Sequence, residues 1–240
     1  MTYINNIVYK VKRYINYLIM YNQFKTVSDK RFTLNWNDRY PCLNDKTTNT
    51  SFDRHYVYHT GWAARTIAHI NPEKHIDIGS SLYFVSITSA FTKIEHYDYR
   101  PPNIILDNLY TGSIDLCNIS FNDNSIDSLS CMHVIEHIGL GRYGDPIDPK
   151  GDIKAANELT RVVKNGGSLL IVVPIGKPKI CFNAHRIYSY DQIINMFNGF
   201  KLNEYSLIPD DKTQGILLNP DKHISNNQSY ACGCFWFIKK

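Results

Sequence analysis

From residue 59 onward the chain alternates short apolar runs with polar turns. HTGWAARTIAHI (59–70) has helical spacing and is closed by Asn71-Pro72. KHIDIGSS (74–81) reads as a buried strand followed by a glycine turn. Residues 82–90 suit a helix, and TKIEHYDYR (92–100) a second strand stopped by Pro101-Pro102. TGSIDLCNISF (111–121) carries a third strand and a loop, and SIDSLSCMHVI (125–135) a fourth strand. In GDIKAANELTRVVKNGG (151–167) the residues Ile153, Ala156, Leu159, Val162 and Val163 keep a helical period, and Gly166-Gly167 is expected to end the helix. SLLIVVPIG (168–176) is a continuous apolar run, as in a strand buried on both faces. SYDQIINMF (189–197) predicts a helix capped by Ser189, and YACGCFWFIKK (230–240) a final strand.

Strands alternating with helices predict an α/β fold with a doubly wound, mostly parallel sheet. The first 50 residues fit differently. Ile4, Ile7, Val8, Val11, Ile15, Leu18 and Ile19 form one stripe of a helix, and residues 26–54 are polar and irregular. The expected division is an N-terminal helix and loop extension, 1–50, ahead of a domain at 51–240. The stripe is expected to pack on the chain's own domain or on a partner such as a second copy; a membrane-surface role is the lesser alternative.

Composition bounds the rest. A chain of 240 residues, 43% hydrophobic and 20% charged, has enough apolar content to fold without staples. No run of about 18 uncharged apolar residues occurs, so no spanning helix is expected. Six cysteines without a C-x-x-C pair fit reduced thiols and a cytoplasmic protein. The net charge of +4 is too small to argue for nucleic acid. Lys10, Lys12, Arg13, Lys25, Lys30 and Arg31 face one early acid, Asp29, so the surplus belongs to the extension.

On such a sheet, ligands bind beyond the carboxyl ends of the strands. The first turn, Asp77-Ile78-Gly79-Ser80-Ser81, has one glycine where a dinucleotide site wants three. Asp98 ends the second strand and can accept the two hydroxyls of a ribose. Asp115, beside Leu116, ends the third and can accept an adenine amine. Three strand-end acids and one glycine suit a ligand with a ribose, an adenine and a cationic amino-acid tail, but no phosphate. S-adenosylmethionine has those parts.

The order DIGSS, EHYDYR, GSIDLCNISFNDNSIDSLSCMHVIEHIG and ELTRVVKNGG resembles the class I S-adenosylmethionine-dependent methyltransferases. FDRHYVYHTGWAAR and HVIEHIGLGRYGDPIDPKGD further resemble an uncharacterised bacterial methyltransferase-like family associated with surface-polysaccharide biosynthesis, over roughly residues 39–210. The resemblance implies a Rossmann-like methyltransferase fold. It sets Asp77 and Gly79 at the methionine end of the cofactor, Asp98 at the ribose, Asp115 at the adenine and His133 beside the sulfonium. Ser80 and Ser81 stand where the superfold usually has glycine. The activity implied is methyl transfer to a hydroxyl of a sugar or nucleotide-linked sugar, a precursor of capsule or other surface glycan.

A hydroxyl acceptor needs a base, and histidine is the residue poised near neutral pH. His133, His137 and His185 all fall in candidate turns and are the candidate catalytic residues. Glu136, Arg142, Tyr143, Asp145 and Arg186 are candidates for holding a polar or anionic acceptor. His55, Tyr56 and His59 are expected to pack as a lid. His133-x-x-Glu136-His137 also matches an inverted zinc-protease pattern. That reading needs both histidines on one helix, whereas SIDSLSCM before them reads as a strand. A divalent ion there is therefore only the lesser alternative, no metal ligand is assigned, and Cys232 and Cys234 are taken as structural. A non-catalytic methyltransferase-like binding subunit is the other alternative.

Overall fold

The computed structural model describes every residue except Met1, Ser28 and Lys30, with the side chains of residues 2–4 also left out. Lys30 and the Ile4 position of the apolar stripe therefore lie outside the described residues. Contacts divide the chain into two units, residues 1–52 and 53–240.

In the first unit, α1 spans Thr2–Val27. A 3₁₀ turn at Trp36–Asp38 follows, and the other described residues of 29–52 are irregular. The Tyr21 ring meets Trp36 edge-on at 5.3 Å, and the Arg39 guanidinium lies 3.8 Å from the Trp36 ring centre. Ile7, Val8, Val11, Ile15 and Ile19 are all exposed. No helix among the described residues is long and apolar enough to cross a membrane.

The second unit begins with α2, Arg54–Ile70. It starts five residues earlier than the apolar pattern indicates, because the Asp53 side chain accepts the Tyr56 N–H at 3.1 Å and caps it. Asn71, left-handed at φ 47°, ends it. Next come β1 (Lys74–Ile78), α3 (Leu82–Thr88), β2 (Lys93–Asp98), β3 (Leu109–Ser113) and β4 (Ile126–Met132). The following helix, α4, is Gly151–Val162, and β5 is Val163–Ile175. Here the expectation fails by four residues. Val163 pairs with Ile126 of β4, so the chain leaves the helix before Gly166 and Gly167, which lie inside the strand.

A small hairpin, β6 (Lys179–Cys181) with β7 (His185–Ile187), was not legible in the sequence. Then α5 (Tyr190–Met196) starts at a full capping box of Ser189 and Gln192. The rest is β8 (Phe200–Ile208), β9 (Leu217–Leu218), α6 (Lys222–Asn226) and β10 (Ala231–Lys239). The main sheet has the order β3-β2-β1-β4-β5-β10-β8-β9. β3 to β5 are parallel, and β10 slots antiparallel between β5 and β8. One face packs on α2 and α3 through Trp62, Ile67, Phe84 and Cys232; the other packs on α4 and α5 through Leu159, Val162, Ile193 and Phe197.

A polar seam crosses this sheet where the order reverses, between β1 and β4. Asp77 has no exposure. Its Oδ2 accepts His96 Nδ1–H at 2.7 Å and the Ser80 N–H at 3.2 Å, and its Oδ1 accepts the Ser130 hydroxyl. His75 lies between Ser128 and Ser130, at 2.7 and 2.9 Å. Burial alone would push the Asp77 carboxyl up, but the His96 and serine donors outweigh it and hold the pKa below its usual value. Burial likewise opposes the charge of His96, and the Asp77 partner overcomes it and raises the pKa.

The pair should therefore contribute most between the ordinary carboxylate and imidazole values. The Asp77 contribution is lost as pH falls through its lowered pKa, and the His96 contribution as pH rises through its raised one. Asp77→Asn should flatten both limbs in urea unfolding measured across pH. Asp77→Ala should cost roughly 3–5 kcal/mol, because it leaves His96 buried without its counter-charge.

Candidate functional site

The ends of β1, β2 and β4 and the segments after them enclose one cavity of about 500 Å³. Gly79 begins it. Its φ of +71° is a left-handed conformation that glycine adopts freely, and its N–H bonds the Tyr97 carbonyl at 2.8 Å. A Cβ there would stand 2.9 Å from Val134 Cγ2 and 3.7 Å from Asp98 Oδ2. The bare backbone thus lets the end of β4 close over the turn while Asp98 remains beside it. Asp98 is half-buried and steadies the next turn, its Oδ1 accepting the Arg100 N–H at 2.7 Å. Asp115 does the same one strand further on, accepting the Cys117 N–H at 2.8 Å. Ile78, Ile114, Leu116, Val134 and Ile138 supply apolar wall.

Gly79, Asp98, Asp115, Leu116 and His133 therefore line one space. Asp77 and Ser80 do not line it. Asp77 is turned into the sheet, and the Ser80 hydroxyl accepts the Met132 N–H at 3.2 Å, fastening the first turn to β4.

Past β4 the chain turns sharply. His133 has φ +57°, and a 3₁₀ turn, Ile135–His137, follows. His133 Nδ1 donates to Glu136 Oε1 at 2.9 Å, leaving Nε2 as the acceptor. The His137 Nδ1–H donates to the Ala184 carbonyl at 2.5 Å, so Nε2 is again the lone pair. Both rings line the cavity. Burial pushes His133 down to about 4 and lowers His137, so both are neutral at neutral pH. Burial pushes Glu136 up to about 7. The inverted zinc-protease geometry is absent, because the two histidines do not share a helix.

Three expected contact residues have other tasks. His185 lies on β7 against the Tyr230 ring at 4.9 Å and does not line the cavity. Glu136 is buried and orients His133 rather than facing the cavity. Arg186 is also buried, and its guanidinium donates to the carbonyls of Ile138 at 2.7 Å and of Glu136 and Pro149 at 3.4 Å, with Asp152 at 3.6 Å. It braces the glycine-rich loop from beneath. Asp145 lines the cavity, but its carboxylate gathers the N–H groups of Gly139, Gly141 and Tyr143. Within that loop Gly139 is unavoidable, since a Cβ would stand 2.0 Å from the Asp148 carbonyl oxygen. Arg142 and Tyr143 are exposed, with the guanidiniums of Arg142 and Arg100 at 5.0 and 4.9 Å from the Tyr143 ring centre.

Arg100, Lys154 and Cys117 also line the cavity and were not singled out from sequence. The aromatic ring set around His133 is denser than a lid requires. His55 lies parallel to it at 5.8 Å, Tyr56 stacks at 5.4 Å and His59 meets it edge-on at 4.9 Å. The i, i+4 spacing of His55 and His59 on α2 was the available signal.

Residues 111–231 match the family model described as "Caenorhabditis protein of unknown function, DUF268". The chain belongs to the DUF268 family. This DUF268 chain is 30% identical over 94 residues to an uncharacterized protein of Methanocaldococcus jannaschii. The match covers 37% of the chain, which spans about a third (36%) of that relative's length. Similar solved structures include methyltransferases. The 1,6-didemethyltoxoflavin-N1-methyltransferase of Burkholderia thailandensis, with bound S-adenosylhomocysteine, superposes with a TM-score of 0.57 at 10% identity, covering 76% of this chain and 78% of that one. The N-methyltransferase NodS of Bradyrhizobium japonicum, also with S-adenosylhomocysteine, gives 0.52 at 11% identity, covering 75% and 85%. The Haloferax volcanii complex with the Trm112 methyltransferase activator gives 0.53 at 16%, covering 78% and 90%. The fold is thus the Rossmann-like methyltransferase fold with an N-terminal helix.

The two arginines expected to bind substrate should separate on mutation. Arg186→Met should lower stability by about 1.5–3 kcal/mol, the worth of hydrogen bonds to a charged group, in urea unfolding. Arg142→Met, at an exposed position, should stay within about 0.5 kcal/mol of the parent.

Proposed function

We propose that the chain is an S-adenosylmethionine-dependent O-methyltransferase whose acceptor is a polar, anionic small molecule such as a nucleotide-linked sugar for a surface glycan. The observation that carries this is the convergence of Gly79, Asp98 and Asp115, from three successive strand ends, on one cavity with His133 and His137 on its wall. The residues fit the cofactor. Gly79 presents bare backbone where a side chain would press on Val134, and the acids offer acceptors without a phosphate cradle. Asp98 would take the ribose hydroxyls and Asp115 the adenine amine, with Ile114 and Leu116 along the ring. When bound, the cofactor supplies an electrophilic methyl and carries its own leaving group.

The chain's residues then have two tasks, alignment and proton removal. His137 is the base. Its tautomer is fixed by the Ala184 carbonyl, so Nε2 is free to accept the acceptor's proton. His133 is the alternative base, held in the same sense by Glu136. Arg100 and Arg142, at 4.9 and 5.0 Å from the centre of the exposed Tyr143 ring, support an anionic acceptor, since guanidiniums pair phosphate and carboxylate oxygens in a planar fork. The exposed stripe of α1 supports association through that helix, with a second copy as partner, and the reading places the protein in the cytoplasm.

Calorimetric titration with S-adenosylmethionine and S-adenosylhomocysteine should show binding that Asp98→Ala removes while the variant still unfolds cooperatively. Absence of heat and of thermal shift with both ligands on the parent protein defeats the reading. With candidate nucleotide sugars, mass spectrometry should find a product heavier by one methylene. His137→Ala should slow its formation by about 100- to 10,000-fold; an unchanged rate removes His137 as the base.

A further inference from the structure

Above the end of β4, three residues far apart in sequence converge. His55 comes from the first turn of α2, His133 from the turn after β4, and Cys232 from the start of β10. One donor atom from each lies within 4.8 Å of the others. Cys232 Sγ is 3.5 Å from His133 Nε2. Tetrahedral zinc, with Zn–N near 2.0 Å and Zn–S near 2.3 Å, sets an N···S edge of about 3.5 Å. Two of the three donors already stand at that spacing.

The surroundings point the same way. A metal-binding imidazole characteristically gives its other N–H to a carboxylate, which fixes the ring and the tautomer. Glu136 does this for His133 at 2.9 Å. The cluster also contains unmet polarity. Glu136 Oε2 and His59 Nε2 are buried without a hydrogen-bond partner among the described residues, and an unpaired buried polar atom costs about 1–3 kcal/mol. His59 Nδ1–H is committed to the His55 carbonyl at 2.6 Å, so its Nε2 is a bare lone pair beside the cluster. A water on a bound ion would give it a donor.

We propose that His55, His133 and Cys232 bind a zinc-class divalent ion, with a fourth position left for water or an acceptor oxygen. Three protein ligands and one open position are the pattern of a catalytic rather than a structural zinc site. On binding, the Cys232 thiol loses its proton to solvent as the metal–sulfur bond forms. His133 also lines the cofactor cavity, so the open position serves the acceptor end of that cavity. An acceptor hydroxyl on the ion would have its pKa lowered before His137 takes the proton. This last role rests on the methyl-transfer reading; the metal site does not. Neither the zinc-protease pair nor a C-x-x-C spacing is involved.

The test uses the full chain, stripped with a chelator and titrated with cobalt(II). A thiolate-to-cobalt charge-transfer band should appear, saturate at one equivalent and be displaced by zinc. Cys232→Ser should remove the band. His55→Gln, at a half-buried position, should weaken cobalt binding at least tenfold with an unchanged unfolding midpoint, which keeps the test open if the cysteine variant does not fold. No band in the parent, or unchanged cobalt affinity in His55→Gln, overturns the site. A parallel titration with S-adenosylmethionine separates the two readings. Heat without a cobalt band rejects the metal and leaves the cofactor. A band without heat leaves the metal and rejects its role in methyl transfer.

Discussion

A carboxylate with no access to water has to be met by donors on every side, or it will not stay charged. Asp77 is met by His96 from β2, Ser130 from β4 and the Ser80 amide of its own turn. Those bonds tie three neighbouring strands together where the strand order reverses, and that is where the fold opens its ligand crevice. Everything in the cavity is referred to this seam. Gly79 follows Asp77 by two residues, Asp98 follows His96 by two, and His133 follows Ser130 by three. The seam is costly to assemble, since each polar group must be paired in low dielectric, and the pairing is complete enough to fix those strand ends in register.

The same division between bracing and contact runs through the acceptor side. Asp145 is a charged residue of the glycine-rich loop and Arg186 one of the adjoining strand β7, both of the type that usually meets a ligand. Here both charges are spent on the loop itself: Asp145 collects three amides from above and Arg186 three carbonyls from below. The loop is thereby a rigid wall, with Tyr143 and His137 facing the cavity, while Arg142 lies outside its lining and donates to the Ala184 carbonyl at 3.1 Å.

His133 belongs to both the cavity at the strand ends and the ring cluster beneath α2. Its left-handed backbone turns the ring away from the line of β4 and into a space bordered by His55, His59 and Cys232. A non-glycine residue in that region of backbone space is uncommon and is held there by its surroundings. Glu136 and the sulfur of Cys232 are the surroundings that do it.

Local pattern was enough to set most of the architecture. Burial on both faces demands an unbroken apolar run, so β5 was readable, and Ser189 announced α5 through its cap. Strand ends border the crevice in this topology, so it could be read from position alone that Gly79, Asp98 and Asp115 would line one cavity. What sequence could not supply was the partner of each polar side chain. Asp77 and Asp98 are both strand-end acids, and only the packing of β2 and β4 turns one inward and leaves the other in the cavity. The helix α4 ends at Val162 because Val163 finds a strand to pair with, a non-local bond that overrides the glycines downstream. The meeting of His55, His133 and Cys232 leaves no spacing motif, because 78 and 99 residues separate them. Their proximity exists only once β10 has returned antiparallel beside β5 and α2 has been laid across it.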